Sequence, residues 1–90
     1  MNYKLKSPVD IGHIVRAVRI AQAFRQDEAA ETMGVSENFL GKVERGGETV
    51  QWGKLFQVLE NLGIEVVLQV PDFLEHDVEQ AMGRRRKRIL

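Results

Sequence analysis

The sequence predicts one small, mainly α-helical domain in which four to five short helices are followed by a single β-strand. Three observations predict this class. Apolar residues recur at three- and four-residue spacing in four segments between positions 8 and 62. Glycines follow three of these segments, where a helix commonly ends. Residues 64–70 are instead rich in β-branched side chains, which favours a strand.

Length and composition limit the class of protein. The chain has 90 residues, of which 43% are hydrophobic and 29% are charged, so it has room for one hydrophobic core. It contains no cysteine, which excludes disulfides and thiolate metal sites and favours a reducing compartment. The longest apolar run is Val66 to Leu68, so we expect no membrane span and no secretion signal. A soluble, cytoplasmic protein is expected.

Charge is unevenly distributed along the chain. The 13 basic and 13 acidic residues cancel, yet residues 84–88 are all basic. Residues 1–70 are nearly neutral, so net charge alone does not indicate nucleic-acid binding. We predict a domain over residues 1–70 and an acidic-then-basic, partly disordered tail over residues 71–90. The tail has a short amphipathic helix containing Phe73, Leu74, Val78 and Met82, and its last six or seven residues are expected to be mobile.

The first helix is predicted to begin at Pro8 and to run to about Phe24. Ser7 is a favoured cap, proline is favoured in the first turn, and Asp10 stands three residues after the cap, as in a capping box. The apolar residues of this segment recur on one helical face. They are Ile11, Ile14, Val15 and Val18.

Glycines and a serine delimit the next two helices. The second is predicted over residues 26–33, and Gly34 provides the left-handed backbone that ends it. Ser36 caps the third, which is predicted over residues 37–45 and is stopped by the glycines at 46–47.

A fourth helix is predicted over residues 52–61, before Gly63. Its aromatic residues, together with Phe24, are expected to lie in the core rather than to stack on bases. The predicted apolar face contains Trp52, Leu55, Phe56, Leu59 and Leu62.

A lone strand cannot satisfy its own hydrogen bonds, so the strand over residues 64–70 requires a partner. The alternatives are residues 2–6, another protein, or the same strand of a second copy. We favour the second copy, because dimerisation would add the stability that so short a chain needs. The apolar residues of this dimerisation strand are Ile64, Val66, Val67, Leu68 and Val70.

The two helices that meet at Gly34 have the proportions of a helix-turn-helix. Small residues, Ala29 and Ala30, stand where the backbones must approach each other. A helix held by its predecessor can place its first residues in the major groove of DNA. The residues on the outward face of that helix are Glu37, Asn38 and Lys42.

These residues resemble the Xre/Cro-type helix-turn-helix regulators, and the resemblance extends from Ile11 to Ile64. It implies a lambda-repressor-like helix-turn-helix bundle. The matching segments are Ile11-Gly12, Val15-Arg16, Arg19, Gln26, Gly34-Val35-Ser36, Phe39 to Gly46, and Leu55 to Ile64.

The resemblance implies roles for individual residues. Arg19 pairs with Glu44, and we favour a purely architectural role for this pair. Gln26 contacts phosphate or the edge of the bases. Asn38 can form two hydrogen bonds with adenine, and Lys42 can donate a hydrogen bond to guanine. Glu37 can accept a hydrogen bond from cytosine. The residues predicted to contact DNA are Arg25, Gln26, Ser36, Glu37, Asn38, Phe39, Lys42 and Arg45.

Two positions depart from the family pattern. Arg25 stands where the family favours a serine or threonine cap, which removes about 1 kcal/mol of capping and adds a cation near the phosphates. Gly41 lies inside the third helix, where glycine costs about 1 kcal/mol relative to alanine. We interpret Gly41 as a place where another backbone or DNA approaches closely.

A narrower resemblance is to HipB-type antitoxins, in which a strand follows the helical bundle directly. It implies a dimeric repressor that autoregulates its operon at operator DNA and restrains a HipA-type kinase toxin. The alternatives are a solitary Xre-type regulator and a protein-interaction module without specific DNA binding. We expect no enzymatic activity, cofactor or metal, since His13 and His76 are isolated. The expected location is the cytoplasm, in association with the nucleoid.

Overall fold

A computed structural model describes residues 1–89 of the chain, and the side chains of residues 1–83. The described residues form five α-helices and one 3-10 turn, which confirms the predicted mainly helical class. The elements are α1 (Pro8–Ala21), α2 (Gln26–Met33), α3 (Glu37–Glu44), α4 (Trp52–Asn61), the 3-10 turn Asp72–Leu74, and α5 (Glu75–Ile89).

Helices α2 and α4 have the predicted bounds, and α3 ends one residue earlier than predicted. Helix α1 ends at Ala21, three residues before the predicted end. Ala23 has a φ of 62°, a left-handed conformation that an α-helix cannot contain. This residue turns the chain from α1 towards α2. The backbone N–H of Phe24 donates to the carbonyl oxygen of Arg19, at 3.2 Å, and closes the turn.

One core lies between α1, α2, α3 and α4. Three side chains from three different helices are fully buried at its centre, namely Val15, Leu40 and Val58. Ala29 and Ala30 are each 1% exposed, so small residues do lie where helices approach. The remaining buried hydrophobic residues are Met33, Val35, Val43, Leu59 and Leu62.

The prediction that Phe24, Trp52 and Phe56 belong to the core is wrong. Their exposed fractions are 38%, 74% and 46%. The buried stripe of α4 is centred on Leu55, Val58, Leu59 and Leu62, which leaves the two aromatic residues at its margin. Their rings lie against each other instead, with centroids 6.0 Å apart.

Residues 64–70 form neither a helix nor a paired strand within residues 1–89. No backbone hydrogen bond in the described chain joins them to residues 2–6, so that alternative is not adopted. A strand forms only when a neighbouring strand satisfies its N–H and C=O groups. Within the described residues of a single chain, no such neighbouring strand lies beside residues 64–70. Val67 and Leu68 are accordingly 68% and 84% exposed.

The tail contains more helix than predicted. Helix α5 has 15 residues and begins after the 3-10 turn. The apolar residues of the predicted amphipathic helix are exposed, with Phe73 at 84% and Met82 at 50%. The side chains of the basic run 84–88 lie outside those that the structure describes, so its mobility stays a prediction. No helix among the described residues combines the length and the apolar character that a membrane crossing requires.

Candidate nucleic-acid interface

The turn between α2 and α3 fixes the angle at which α3 leaves the bundle. Gly34 has a φ of 76°, a backbone conformation that glycine adopts without a steric penalty. The N–H of Val35 donates to the carbonyl oxygen of Ala30 at 3.0 Å, and Val35 is buried. The hydroxyl of Ser36 accepts from the N–H of Phe39 at 3.0 Å and caps α3.

Helix α3 has one buried side and one exposed side. Leu40, Val43 and Glu44 are buried against the bundle. Glu37, Asn38 and Lys42 are exposed, in agreement with the outward face that their spacing predicted, and Arg45 at the end of the helix is exposed as well. Phe39 is half-buried and packs against the core. The exposed polar side of α3 is therefore free to meet a ligand along its first two turns.

Helix α1 packs against α3 through Gly12, which the sequence indicated only as part of the Ile11-Gly12 match to the family. A Cβ atom on Gly12 would lie 2.6 Å from the carbonyl oxygens of both Val43 and Glu44. Real Cβ atoms do not approach backbone oxygen so closely, so only glycine lets α1 pack at this depth. Helical periodicity did not predict this contact, because it joins residues far apart in the sequence.

Arg19 and Glu44 form a buried ion pair between α1 and the end of α3. Arg19 donates from Nε to Glu44 Oε2 at 2.6 Å and from Nη2 to Oε1 at 2.9 Å. It also donates from Nη1 to the carbonyl oxygen of Phe24 at 2.8 Å. Both side chains are more than nine-tenths buried. The hydrogen bonds to the Glu44 carboxylate raise the pKa of Arg19 despite the opposing effect of burial.

Gln26 joins the same cluster. Its Nε2 atom donates to Glu44 Oε1 at 3.2 Å, and its side chain is half-buried. The cluster thus connects the start of α2, the last turn of α1 and the end of α3. It holds Gln26 beside the third helix.

The start of α2 is capped by acidic residues instead of by the side chain of Arg25. The N–H of Arg25 donates to Glu28 Oε1 at 3.3 Å, and the N–H of Glu28 donates to Asp27 Oδ1 at 2.9 Å. Asp27 satisfies the Glu28 amide, which a serine cap satisfies elsewhere, and Glu28 satisfies the amide of the cap residue itself, as in a capping box. They offset the missing cap.

Arg25 is already paired within its own helix. It donates from Nε to Asp27 Oδ1 at 3.1 Å and from Nη2 to Oδ2 at 2.7 Å. These hydrogen bonds hold the pKa of the Asp27 carboxyl below its usual value. Asp27 therefore occupies the guanidinium that the sequence predicted to contact DNA.

The prediction that another backbone approaches Gly41 is wrong, whereas the approach of DNA stays a prediction. A Cβ atom on Gly41 would lie 3.0 Å from Arg45 Nη1 and 3.6 Å from Gln26 Nε2, so its nearest neighbours outside the backbone of α3 are side-chain atoms. The close approach is therefore made by flexible side chains. Position 41 accommodates a methyl group once Arg45 shifts.

The far side of the exposed face is bordered by the turn before α4. Lys42 Nζ lies 3.5 Å from Thr49 Oγ1, and a Cβ atom on Gly47 would contact the aliphatic part of Lys42. Lys42 thus lies along this turn. Arg25 and Gln26 border one side of the face, and Thr49 borders the other.

The fold and this face define a helix-turn-helix domain with an exposed third helix. No family model matches the sequence. A relative from Sinorhizobium fredii, the uncharacterized HTH-type transcriptional regulator y4mF, is 44% identical over 71 residues, which cover 79% of this chain and 93% of that protein. The chain belongs to the helix-turn-helix transcriptional regulators.

Solved structures share the fold. A chain of the HipA-HipB-O2-O3 complex is 20% identical, with a TM-score of 0.70, and the match covers 79% of this chain and all of that one. The restriction-modification controller protein C.AhdI from Aeromonas hydrophila is 29% identical, with a TM-score of 0.57, over 64% of this chain and 84% of that one. These likenesses confirm the resemblance to Xre/Cro-type regulators. The relative from Sinorhizobium fredii is named a transcriptional regulator and C.AhdI a controller protein, in agreement with the prediction that this chain is a regulator and not an enzyme.

Proposed function

We propose that the chain is a sequence-specific transcriptional repressor that binds operator DNA as a homodimer. One observation carries the proposal: α3 exposes Asn38 and Lys42 on one side, while its other side is fixed to the bundle by Leu40, Val43 and Glu44. A reading helix needs both properties. It has to expose hydrogen-bonding groups to the bases, and it has to keep a constant orientation towards the groove.

The exposed residues suit the major groove. An asparagine bonds adenine through two atoms, a lysine donates to guanine, and a glutamate accepts from cytosine, each for about 1 to 3 kcal/mol of discrimination. In this proposal the exposed part of Phe39 contacts a thymine methyl group. In this proposal Ser36 contributes as the cap of α3, and Arg25, Gln26 and Arg45 contact the phosphate backbone.

We propose dimerisation through residues 64–70. Their apolar side chains are mostly exposed and their backbone groups lack a partner strand within the described chain. Pairing with a second copy satisfies those groups. It also places two α3 helices on successive major grooves about 34 Å apart on a palindrome. Residues 1–70 then form the DNA-binding and dimerisation unit, and residues 71–90 form the tail.

Binding to the region upstream of the chain's own gene tests the proposal. Asn38→Ala should weaken binding to the upstream duplex by about 1 to 3 kcal/mol per half-site and relax the preference at one base pair. Asn61→Ala is the matched control, because Asn61 is exposed at the end of α4 and donates to the Gln57 carbonyl oxygen. Equal, weak binding of the unaltered protein to the upstream and shuffled duplexes would exclude sequence-specific repression.

We further propose that the regulator is an antitoxin that neutralises a HipA-type kinase toxin. The support is the fold shared with a chain of a HipA-HipB complex. Co-purification with a kinase encoded beside this gene, and relief of that kinase's toxicity, are the expected results. A regulator that binds its operator but no neighbouring kinase is the solitary alternative. Kinase binding without operator binding identifies the interaction module.

A further inference from the structure

The carboxylate of Glu44 has a second partner besides Arg19. Its Oε1 atom accepts from Arg19 Nη2 at 2.9 Å and from Gln26 Nε2 at 3.2 Å. If the Arg19–Glu44 pair were purely architectural, Glu44 would need no partner besides Arg19. The bond to Gln26 connects the buried pair to the border of the exposed face of α3.

This bond determines which way the amide of Gln26 points. A carboxylate only accepts hydrogen bonds, so it selects the nitrogen of the glutamine and turns the oxygen away. The side chain also lies against α3, where a Cβ atom on Gly41 would be 3.6 Å from Gln26 Nε2. Among the described hydrogen bonds, Glu44 takes one hydrogen of Nε2 and leaves the other available.

Because Glu44 is paired with Arg19, it can orient the Gln26 amide without adding a net negative charge near the DNA-binding face. A lone carboxylate near the phosphates would repel DNA, whereas the two-point pairing with Arg19 neutralises Glu44. Burial keeps water from competing for the same oxygen atoms, since the side chains of Arg19 and Glu44 are 9% and 4% exposed.

We infer that Glu44 is a positioning residue for DNA binding: it orients the Gln26 amide so that the second N–H donates to a phosphate oxygen of the duplex. The inference rests on the proposed function. It replaces the purely architectural interpretation of the Arg19–Glu44 pair. Glu44 itself contacts no DNA and acts through Gln26.

A double-mutant cycle tests the inference. The Arg19→Met/Glu44→Met variant removes both charges and keeps apolar volume, a replacement that buried ion pairs often tolerate. Circular dichroism and thermal unfolding establish that it folds. Affinity for the upstream duplex is then measured with and without Gln26→Ala in each background. Gln22→Ala is the control, because Gln22 donates instead to the carbonyl oxygen of Leu62.

Gln26→Ala should weaken binding about tenfold or more in the unaltered background, as expected for a hydrogen bond to a charged acceptor. In the Arg19→Met/Glu44→Met background it should have an effect of less than about twofold. An equal loss in both backgrounds, or no loss in the unaltered one, would overturn the inference while leaving operator binding by the unaltered protein intact. Absence of binding by the unaltered protein would instead contradict the proposed function.

A measurement without DNA decides the positioning step by itself. In the unaltered protein, one of the two amide hydrogens of Gln26 should exchange slowly with solvent and have an NMR shift displaced from that of an exposed glutamine, because a buried carboxylate accepts it. Fast exchange of both hydrogens, with the shifts of an exposed glutamine, would show that Glu44 does not hold Gln26. This readout requires only the unaltered chain, so it holds even if the double-methionine variant does not fold.

Discussion

Gly12 of α1 lies directly against the backbone of Glu44, where an added Cβ atom would be 2.6 Å from the Glu44 carbonyl oxygen. Two helical turns further along α1, Arg19 bonds the Glu44 side chain. Glu44 is thus held through its backbone and through its side chain by the same helix. This arrangement fixes the end of α3 and, with it, the orientation of the exposed face.

Gly12→Ala should destabilise the protein by about 3 kcal/mol, because the methyl group meets rigid backbone oxygens. Gly41→Ala is the matched control. Its methyl group meets the flexible end of Arg45, and removing a glycine from a helix gains up to about 1 kcal/mol. Thermal unfolding of the two variants measures the difference. A stable Gly12→Ala protein would contradict the close packing of α1 on α3.

Arg19→Met alone should destabilise the protein by about 3 to 5 kcal/mol, because it leaves the buried carboxylate of Glu44 without a counter-ion. Adding Glu44→Met should restore most of that stability. Urea unfolding of the single and double variants gives both free energies. If the double variant is no more stable than Arg19→Met, the loss arises from packing and not from the unpaired charge.

Trp52→Ala should change the free energy of unfolding by less than about 1 kcal/mol, since Trp52 is 74% exposed and mainly contacts Phe56. Leu59→Ala, on the same helix, should cost about 2 to 5 kcal/mol because Leu59 is 6% exposed. Urea unfolding under monomeric conditions measures both. A large loss for Trp52→Ala would restore the core position that the sequence predicted.

Asp27→Asn should strengthen DNA binding, because Arg25 then loses the carboxylate that occupies its guanidinium. The plot of log affinity against log salt concentration should steepen by about 0.9 for each Arg25 that gains a phosphate. Glu31→Asn removes the same charge from α2 without freeing an arginine and should leave the slope unchanged. Identical slopes for both variants would show that Arg25 stays away from phosphate.

The Val66→Pro/Val67→Pro variant should convert dimers to monomers in sedimentation experiments. Successive amides of a strand point to opposite sides, so the two prolines remove a donor from whichever side faces the partner. Helix content should be unchanged, since both residues lie outside the helices. Lys4→Pro/Leu5→Pro is the control, and it should remain dimeric. Dissociation by the control alone would indicate that residues 2–6 form the interface.

The helical framework was predictable because its signals are local. Gly34 and Gly63 have φ values of 76°, and each follows a helix whose bounds the sequence predicted correctly. The outward position of Asn38 and Lys42 followed from helical spacing alone. Such features depend on residues within one or two turns, so the sequence carries them directly.

The mainly helical class, the helix-turn-helix and the outward face of α3 followed from local signals in the sequence. The packing of the helices, in contrast, brings Gly12 against the backbone of α3, leaves Trp52 exposed and joins Glu44 to Gln26. The partners in the last bond are 18 residues apart, and those in the Arg19–Glu44 pair are 25 apart. Contacts over such separations depend on how helices pack, and helical periodicity does not encode the angle or depth of that packing.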